Sequence, residues 1–393
     1  MSMDLADLRI AQSAEDVARV VPGRAEWMPL AALAAFREEW RDLCARALEP
    51  NVFYEPAFAL AAAPVFGRDA GAVLVWSKTA SRLIGLFPAR IERRYGVMTT
   101  LTGWTHPYAP LGTPLVDRNE AEGAILAFLD HVEMSAKLPG LVMLPLLARD
   151  GAFVAALTRV LARHGGAAAV FGEHARAMLA PTAERRTYLD HALSRRKLRE
   201  LRRQRRRLLE AGQLKLVAAQ DAQTVPRALN DFIALEAHGW KGRAGSAAAA
   251  HADVRKFMQG AVGALAADGQ ARIDRLMQNG RALAATITLT SGDTAWFWKI
   301  AYAEDVARAS PGVQLTLDVT EALLAEPGIL RADSCATADH PMIDHLWRER
   351  LEIADLLVAP SAATLKQFRI TQHLETLRRA LISGAKTLRN GRR

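Results

Sequence analysis

The sequence predicts a duplicated α/β fold, each copy a mixed and mostly antiparallel sheet flanked by helices. Three observations lead there. The hydrophobic period switches repeatedly between that of a helix and that of a strand. Three strand-like runs joined by short polar or glycine turns occur twice, within 72–101 and within 271–302. A helix and then a strand follow each trio, the alternation expected of an α/β half. At 393 residues the chain exceeds the length at which one core usually stops growing. Two domains are therefore expected, 23–182 and 183–362, between a poorly anchored leader (1–22) and a final helix with a basic tail (363–393).

Leu33, Phe36, Trp40, Leu43 and Ala47 recur at helical spacing and predict a helix over 31–49. Asn51-Val-Phe-Tyr-Glu-Pro56 breaks it before a short helix at 57–63. Strands are expected at 72–77, 83–90 and 97–101. A turn-rich stretch from Trp104 to Pro114 then leads to helix 120–134, strand 140–144, helix 152–164 and strand 168–171. In the second half a basic helix, 188–211, should stop at Gly212. Strand 214–218 and helices 225–238 and 253–267 lead to strands 271–277, 282–290 and 294–302. Asp268-Gly269, Asn279-Gly280 and Gly292-Asp293 are turns that make these three a meander. Helix 312–325, strand 329–334, a loop rich in His and Asp, strand 353–358 and helix 364–381 complete the chain.

Composition narrows the function. Cys44 and Cys335 lie far apart and outside any CxxC or Cys/His cluster, against a disulfide framework or a zinc site. Acidic residues stand where a signal peptide needs basic ones, and no apolar run reaches the ~18 to 20 residues of a membrane helix. A soluble cytoplasmic protein is expected. The formal charge of +9 is local: between Arg185 and Arg207 eleven Lys/Arg face only Asp190 and Glu200, a surplus equal to that of the whole chain. The basic field thus belongs to one helix.

The segment after strand 294–302 carries the clearest binding signal. Ser310 is a candidate N-cap, and Pro311 suits a first helical position because it lacks the N–H left unpaired there. The helix that follows buries Leu315, Val319, Ala322 and Leu323, and its first turn presents free amides to a diphosphate or carboxylate. Gly312 would let a ligand approach that backbone.

Taken together, Ser194-Arg-Arg-Lys-Leu-Arg-Glu-Leu-Arg-Arg-Gln-Arg-Arg-Arg-Leu-Leu-Glu-Ala-Gly212, Leu235-Glu-Ala-His-Gly-Trp-Lys-Gly-Arg243, Ser310-Pro-Gly312 and Asp333 resemble the GNAT acyltransferases. More narrowly, the chain is similar to the two-domain group related to cellulose-biosynthesis acetyltransferases of the CelD type, and more distantly to the FemABX peptidyltransferases. The resemblance spans roughly Trp40 to Leu357 and implies tandem GNAT-like domains with acyl-CoA, acetyl-CoA foremost, as co-substrate. One departure stands out. The family's diphosphate loop reads Gln/Arg-x-x-Gly-x-Gly/Ala, whereas here Arg308-Ala-Ser-Pro-Gly-Val-Gln314 places its glycine one position later. The resemblance assigns Lys299, Arg308, Ser310, Gly312 and Val313 to the donor.

Direct acyl transfer needs a polarised carbonyl, a base for the acceptor and an acid for the leaving thiolate. It needs no covalent enzyme intermediate, so neither cysteine is assigned as a nucleophile and no metal is called for. Glu236 is the candidate base, with His238, Trp240, Lys241 and Arg243 on the acceptor; cations at a helix C-terminus also simply complement its dipole. Tyr302 is the candidate proton donor. Asp333 follows a strand end, and with His345 it forms a second acid/base pair in the His- and Asp-rich loop, whose spacing fits no metal motif. By strict alternation Lys299 shares a face with Phe297 and not with Trp296 or Trp298.

The expected acceptor is a small molecule or a glycan-related one. Two alternatives stay open: transfer from an aminoacyl-tRNA, with the basic helix on the RNA, and a non-catalytic protein that binds an anionic polymer or membrane surface through that helix. The lack of aromatic residues among its arginines counts against single-stranded nucleic acid.

Overall fold

The computed structural model describes residues 24–390 apart from 80, 95–97, 182–184 and 240–249. In chain order the strands are β1 (Arg24–Pro29), β2 (Ala70–Trp76), β3 (Leu83–Arg94), β4 (Met98–Gly103), β5 (Leu115–Val116), β6 (Val142–Ala148), β7 (Ala167–Leu179), β8 (Leu214–Ala219), β9 (Ala271–Gln278), β10 (Arg281–Ser291), β11 (Thr294–Tyr302), β12 (Arg331–Asp333) and β13 (Glu349–Ala359). The helices are α1 (Arg37–Arg46), α2 (Pro56–Phe66), α3 (Ala121–Met134), α4 (Ala152–His164), α5 (Tyr188–Ala192), α6 (Arg195–Glu210), α7 (Val225–His238), α8 (Ala252–Ala267), α9 (Pro311–Ala325) and α10 (Leu365–Asn390). Two units emerge. One takes residues up to Asn51, Asp69–His174 and everything from Glu352; the other takes Val52–Arg68 and Ala175–Leu351.

In the first unit β1, β2, β3 and β4 run antiparallel in that order, β4 meets β6 in parallel through Leu101↔Val142, and β13 pairs antiparallel with β6. Helices α3 and α4 supply the apolar layer through Ile125, Phe128, Val132, Phe153 and Leu157, and the Phe87 and Phe128 rings stack at 4.0 Å. The second unit has the same order. Strands β8, β9, β10 and β11 run antiparallel, β11 meets β12 in parallel, and the end of β7 pairs antiparallel with β12. The duplication is therefore one of strand order.

Aromatic side chains sandwich β11. Phe297 joins Leu315, Val319 and Leu323 of α9 in one cluster and meets Trp347 edge-on at 5.8 Å. From the other side, Phe53 meets Trp296 at 6.0 Å, and Phe58 meets both Trp298 and Phe257. The helix that carries Phe58 comes from a segment far upstream in sequence. Ser291 Oγ fastens it by donating to buried Glu55 at 2.6 Å.

Several elements differ from expectation for local reasons. The helix expected over 31–49 begins as a 3-10 stretch, Leu30–Phe36, and becomes α-helical only from Arg37. The basic helix expected over 188–211 is two helices. Leu193 is extended, and Ser194 caps α6 by accepting from Lys197 N. Gly212 follows the end of α6 with φ 150°, a conformation open to glycine, and a Cβ there would also overlap the Asn279 side-chain amide. Strand β1 was not foreseen, since its existence rests on pairing with β2. Strand β13 pairs with β6 of the first unit, whereas its sequence position suggested the second.

Phe58→Ala should destabilise the protein by about 3–5 kcal/mol, because the cavity it leaves beside Trp298 and Phe257 is lined by rigid rings. Urea unfolding followed by tryptophan fluorescence measures this, and a loss under about 1 kcal/mol would show that α2 contributes little to the second unit's core.

Candidate functional site

Strand β11 departs from regular alternation in its middle. Ile287 of β10 pairs with Lys299 and the next residue, Thr288, pairs with Phe297, so Trp298 is the extra residue of a β-bulge. Because Ile287 and Thr288 point to opposite faces, their partners do too. Lys299 therefore lies on the face opposite Phe297, with the tryptophans, correcting the reading by alternation; its ammonium sits 5.7 Å from the Trp298 ring centre. Pairing with β12 stops at Trp296↔Asp333. Among the described residues, β11 beyond that point has a sheet partner only on its β10 side.

After Tyr302 the chain makes a 3-10 turn, Glu304–Ala309, and enters α9 through Ser310. Ser310 occupies the N-cap position with left-handed backbone, φ 51°, and its side chain makes no capping bond, contrary to expectation. Its N–H donates to Ala307 O at 2.9 Å and its C=O accepts from Gln314 N at 3.0 Å. Gly312 and Val313 then lie in the first turn, where amides have no acceptor within the helix. Gly312 is buried, and a Cβ on it would come within 3.1 Å of the Tyr302 ring, so Tyr302 covers the start of α9. Arg308 is exposed on the preceding turn.

Tyr302 also faces two adjoining cavities. A small one of about 30 Å³ is lined by Glu236, Gly239, Ile300, Ala301, Tyr302 and Glu304. The other, of about 580 Å³, has Tyr302, Leu235 and Glu304 in common with it and adds His238, Asp231, Arg281 and Asp305. The structure thus brings together Glu236 and Tyr302, and places His238 beside them. Helix α7 explains the first of these: Phe232, Ile233 and Glu236 share its buried face, so the carboxylate is carried inward, 4% exposed. The His238 Nδ1 lies 2.7 Å from the Ala234 carbonyl, which can only accept, so Nδ1 carries a proton and donates to it. Trp240, Lys241 and Arg243 lie outside the described residues.

Asp231, Arg281, Glu304 and Asp305 escaped the sequence reading. Arg281 holds Asp305 bidentately, both contacts at 2.8 Å, and this bond keeps the Asp305 carboxyl below the usual range. Arg275 pairs with Asp231 at 2.6 Å. The one available signal was the acidic pair that closes β11, directly after an aromatic strand.

Asp333 and His345 are not among the residues lining either cavity. Asp333 is 3% exposed and forms an ion pair with Arg176, itself 2% exposed, while its other oxygen accepts from Cys335 N at 2.9 Å. Burial and the Asp333 charge raise the Cys335 thiol well above its ordinary value, the opposite of what activates a nucleophile. His345 is exposed on the short turn Ile343–His345. Among the described residues no group of His, Cys, Asp and Glu could hold a metal ion, and no helix is long and apolar enough to cross a membrane.

Residues 195–340 match the acetyltransferase (GNAT) domain family. No curated protein matches the chain significantly. The fold resembles three solved structures of low sequence identity. One is the C-terminal domain of a putative lysylphosphatidylglycerol synthetase from Agrobacterium fabrum, with TM-score 0.53, 13% identity, and 88% of this chain and 96% of that one covered. FemX gives TM-score 0.55 at 11% identity, covering 84% and 97%. A conserved protein of unknown function from Bacteroides thetaiotaomicron gives 0.54 at 11% identity, covering 85% and 99%.

Arg176→Leu should cost about 3–5 kcal/mol by stranding the buried Asp333 carboxylate, and Arg176→Leu with Asp333→Leu should recover most of it. Urea midpoints of the two variants decide; equal losses would mean that the pair does not act as a unit.

Proposed function

We propose that the second unit is an acyltransferase that moves an acyl group, acetyl foremost, from acyl-CoA directly to an amine or hydroxyl of a small-molecule or glycan-related acceptor. The observation that carries this is β11 itself. Its bulge at Trp298 and the end of β12 at Asp333 leave an open backbone edge, which can pair with the amides of an extended donor arm as an added strand would. The same strand runs into the turn that starts α9, whose Gly312 and Val313 amides and positive dipole end suit a diphosphate. The match of residues 195–340 to the GNAT domain supports the reading. The sequence resemblance to cellulose-biosynthesis acetyltransferases motivates the glycan-related acceptor.

In this reading Glu236 accepts the proton lost by the acceptor nitrogen or oxygen as that atom attacks the thioester carbonyl. The carbon–sulfur bond then breaks, and Tyr302 protonates the departing sulfur. Burial of Glu236 beside Ile300 and Ala301 excludes competing water. Lys299, Arg308, Ser310, Gly312 and Val313 serve the donor. His238 serves the acceptor, joined by Trp240, Lys241 and Arg243. Asp333, engaged by Arg176, and the exposed His345 are left outside the chemistry.

A second reading, transfer from an aminoacyl-tRNA, is favoured by the exposed arginines of α6. It predicts RNA binding that weakens steeply with salt and indifference to CoA thioesters.

Acetyl-CoA at about 100 times its Kd should stabilise the protein by about 2.7 kcal/mol, seen as a rise of several degrees in Tm. Ser310→Asp puts a carboxylate on the α9 N-terminus, where the dipole and the left-handed backbone tolerate it, but where it repels a diphosphate. This variant should keep the ligand-free Tm and lose the rise. A wild-type protein that no CoA thioester stabilises would sink the proposal. Once an acceptor is found, Glu236→Gln should lower kcat by roughly 10²–10⁴-fold with the donor Kd unchanged.

A further inference from the structure

The function proposed so far uses one turn of α9 and leaves the arginines of α6 without a task. Their placement suggests one. Gln314 Nε2 of α9 donates to Leu201 O of α6 at 2.9 Å, and one turn further on Arg205 of α6 pairs with Asp318 of α9 at 3.0 Å. Leu201 to Arg205 and Gln314 to Asp318 are equal steps in the same sense, so the two helices run parallel and begin at the same end. By the same offset Leu198 stands level with Pro311, so at about 1.5 Å rise per residue the first turn of α6 reaches about 4.5 Å past the start of α9, level with the turn that carries Arg308. Helix α6 also packs against the Glu304–Ala309 turn that carries Arg308.

The α6 side chains at that end are Arg195, Arg196, Lys197 and Arg199, all exposed. Lys197 pairs with Glu200 at 3.3 Å. Among the described residues the side chains of Arg195, Arg196, Arg199 and Arg308 make no hydrogen bond or ion pair. Four guanidinium groups thus flank the helix start already assigned to a diphosphate. The helix that bears three of them is firmly held: Leu201 and Leu208 are buried in the cluster with Leu315 and Phe297, and Gln278 Nε2 donates to Leu208 O at 2.5 Å. Unpaired arginines are suited to bidentate capture of phosphate, since the planar guanidinium fork loses less freedom per hydrogen bond formed.

We infer that the first turn of α6, together with Arg308, binds the terminal phosphomonoester of the donor's nucleotide tail, at the same end of the unit as the α9 amides assigned to the diphosphate. The inference rests on the acyl-CoA reading above. An anionic strand would need the whole length of α6, including Arg202, Arg203, Arg206 and Arg207, whereas a single nucleotide needs only the end that adjoins α9.

The test compares CoA with 3′-dephospho-CoA by calorimetry on the wild type and on the triple variant Arg195→Ala/Arg196→Ala/Arg199→Ala. The wild type should bind CoA about tenfold more tightly, a difference of about 1.4 kcal/mol. In the variant that ratio should fall towards one while the Kd for 3′-dephospho-CoA stays the same. A wild type that does not discriminate, or a variant that still does, overturns this inference and leaves the acyl-CoA reading standing. Failure of both ligands to bind overturns the two together. Unacylated tRNA supplies the remaining arm: if it binds with a steep salt dependence that the variant loses, and the CoA ratio is unaffected, α6 is a nucleic-acid surface and the assignment is wrong.

Discussion

A single irregularity in β11 organises the second unit. With a regular ladder, Trp296, Trp298 and Ile300 would share one face and Phe297 and Lys299 the other. The extra residue at Trp298 breaks that parity, so Phe297 and Ile300 both pack towards α9 while Trp296, Trp298 and Lys299 turn the other way. Two aromatic clusters can then be filled from one strand, and the strand is anchored on both faces. Pairing with β12 ends at Trp296↔Asp333, and beyond it β11 has, among the described residues, a sheet partner only on its β10 side, the edge on which the proposed donor site depends.

Polar groups around this strand are neutralised in place. Asp333 ends β12 beside the point where the two strands part, and Arg176 of β7 meets it in the interior. Isolated, either charge would carry a large desolvation cost; together, with Cys335 N donating to the other oxygen, they satisfy one another in the interior. Glu236 occupies a different position. It is as buried as Asp333 but borders a cavity, next to Tyr302.

The legible parts of the fold were those with a strong period or a specific turn residue. The limits of α7 and β11 agree with the sequence reading to the residue, because Gly239 follows the one and Gly292-Asp293 precedes the other. Strand β1 was not legible, since Arg-Ala-Glu-Trp-Met-Pro becomes a strand only by pairing with β2. In the site, Glu236 and Tyr302 were singled out on separate grounds, and the structure brings them to one cavity. Asp231, Arg281, Glu304 and Asp305 were missed because Arg281 and Asp305 announce their pairing by no motif; they are 24 residues apart and meet only when β10 and β11 align.

Sequence alone determined the repeated order of helices and strands, the concentration of positive charge in one helix, and the turn chemistry that starts α9 at Pro311. These are properties of short windows, set by side-chain period and by backbone preference. Tertiary structure decided the bulge at Trp298, the capture of α2 by the second unit, the pairing of β13 with β6, the engagement of Asp333 by Arg176 and the parallel alignment of α6 with α9. Each of these joins residues through packing or hydrogen bonds across elements, and such energies exist only once the partners have been brought together.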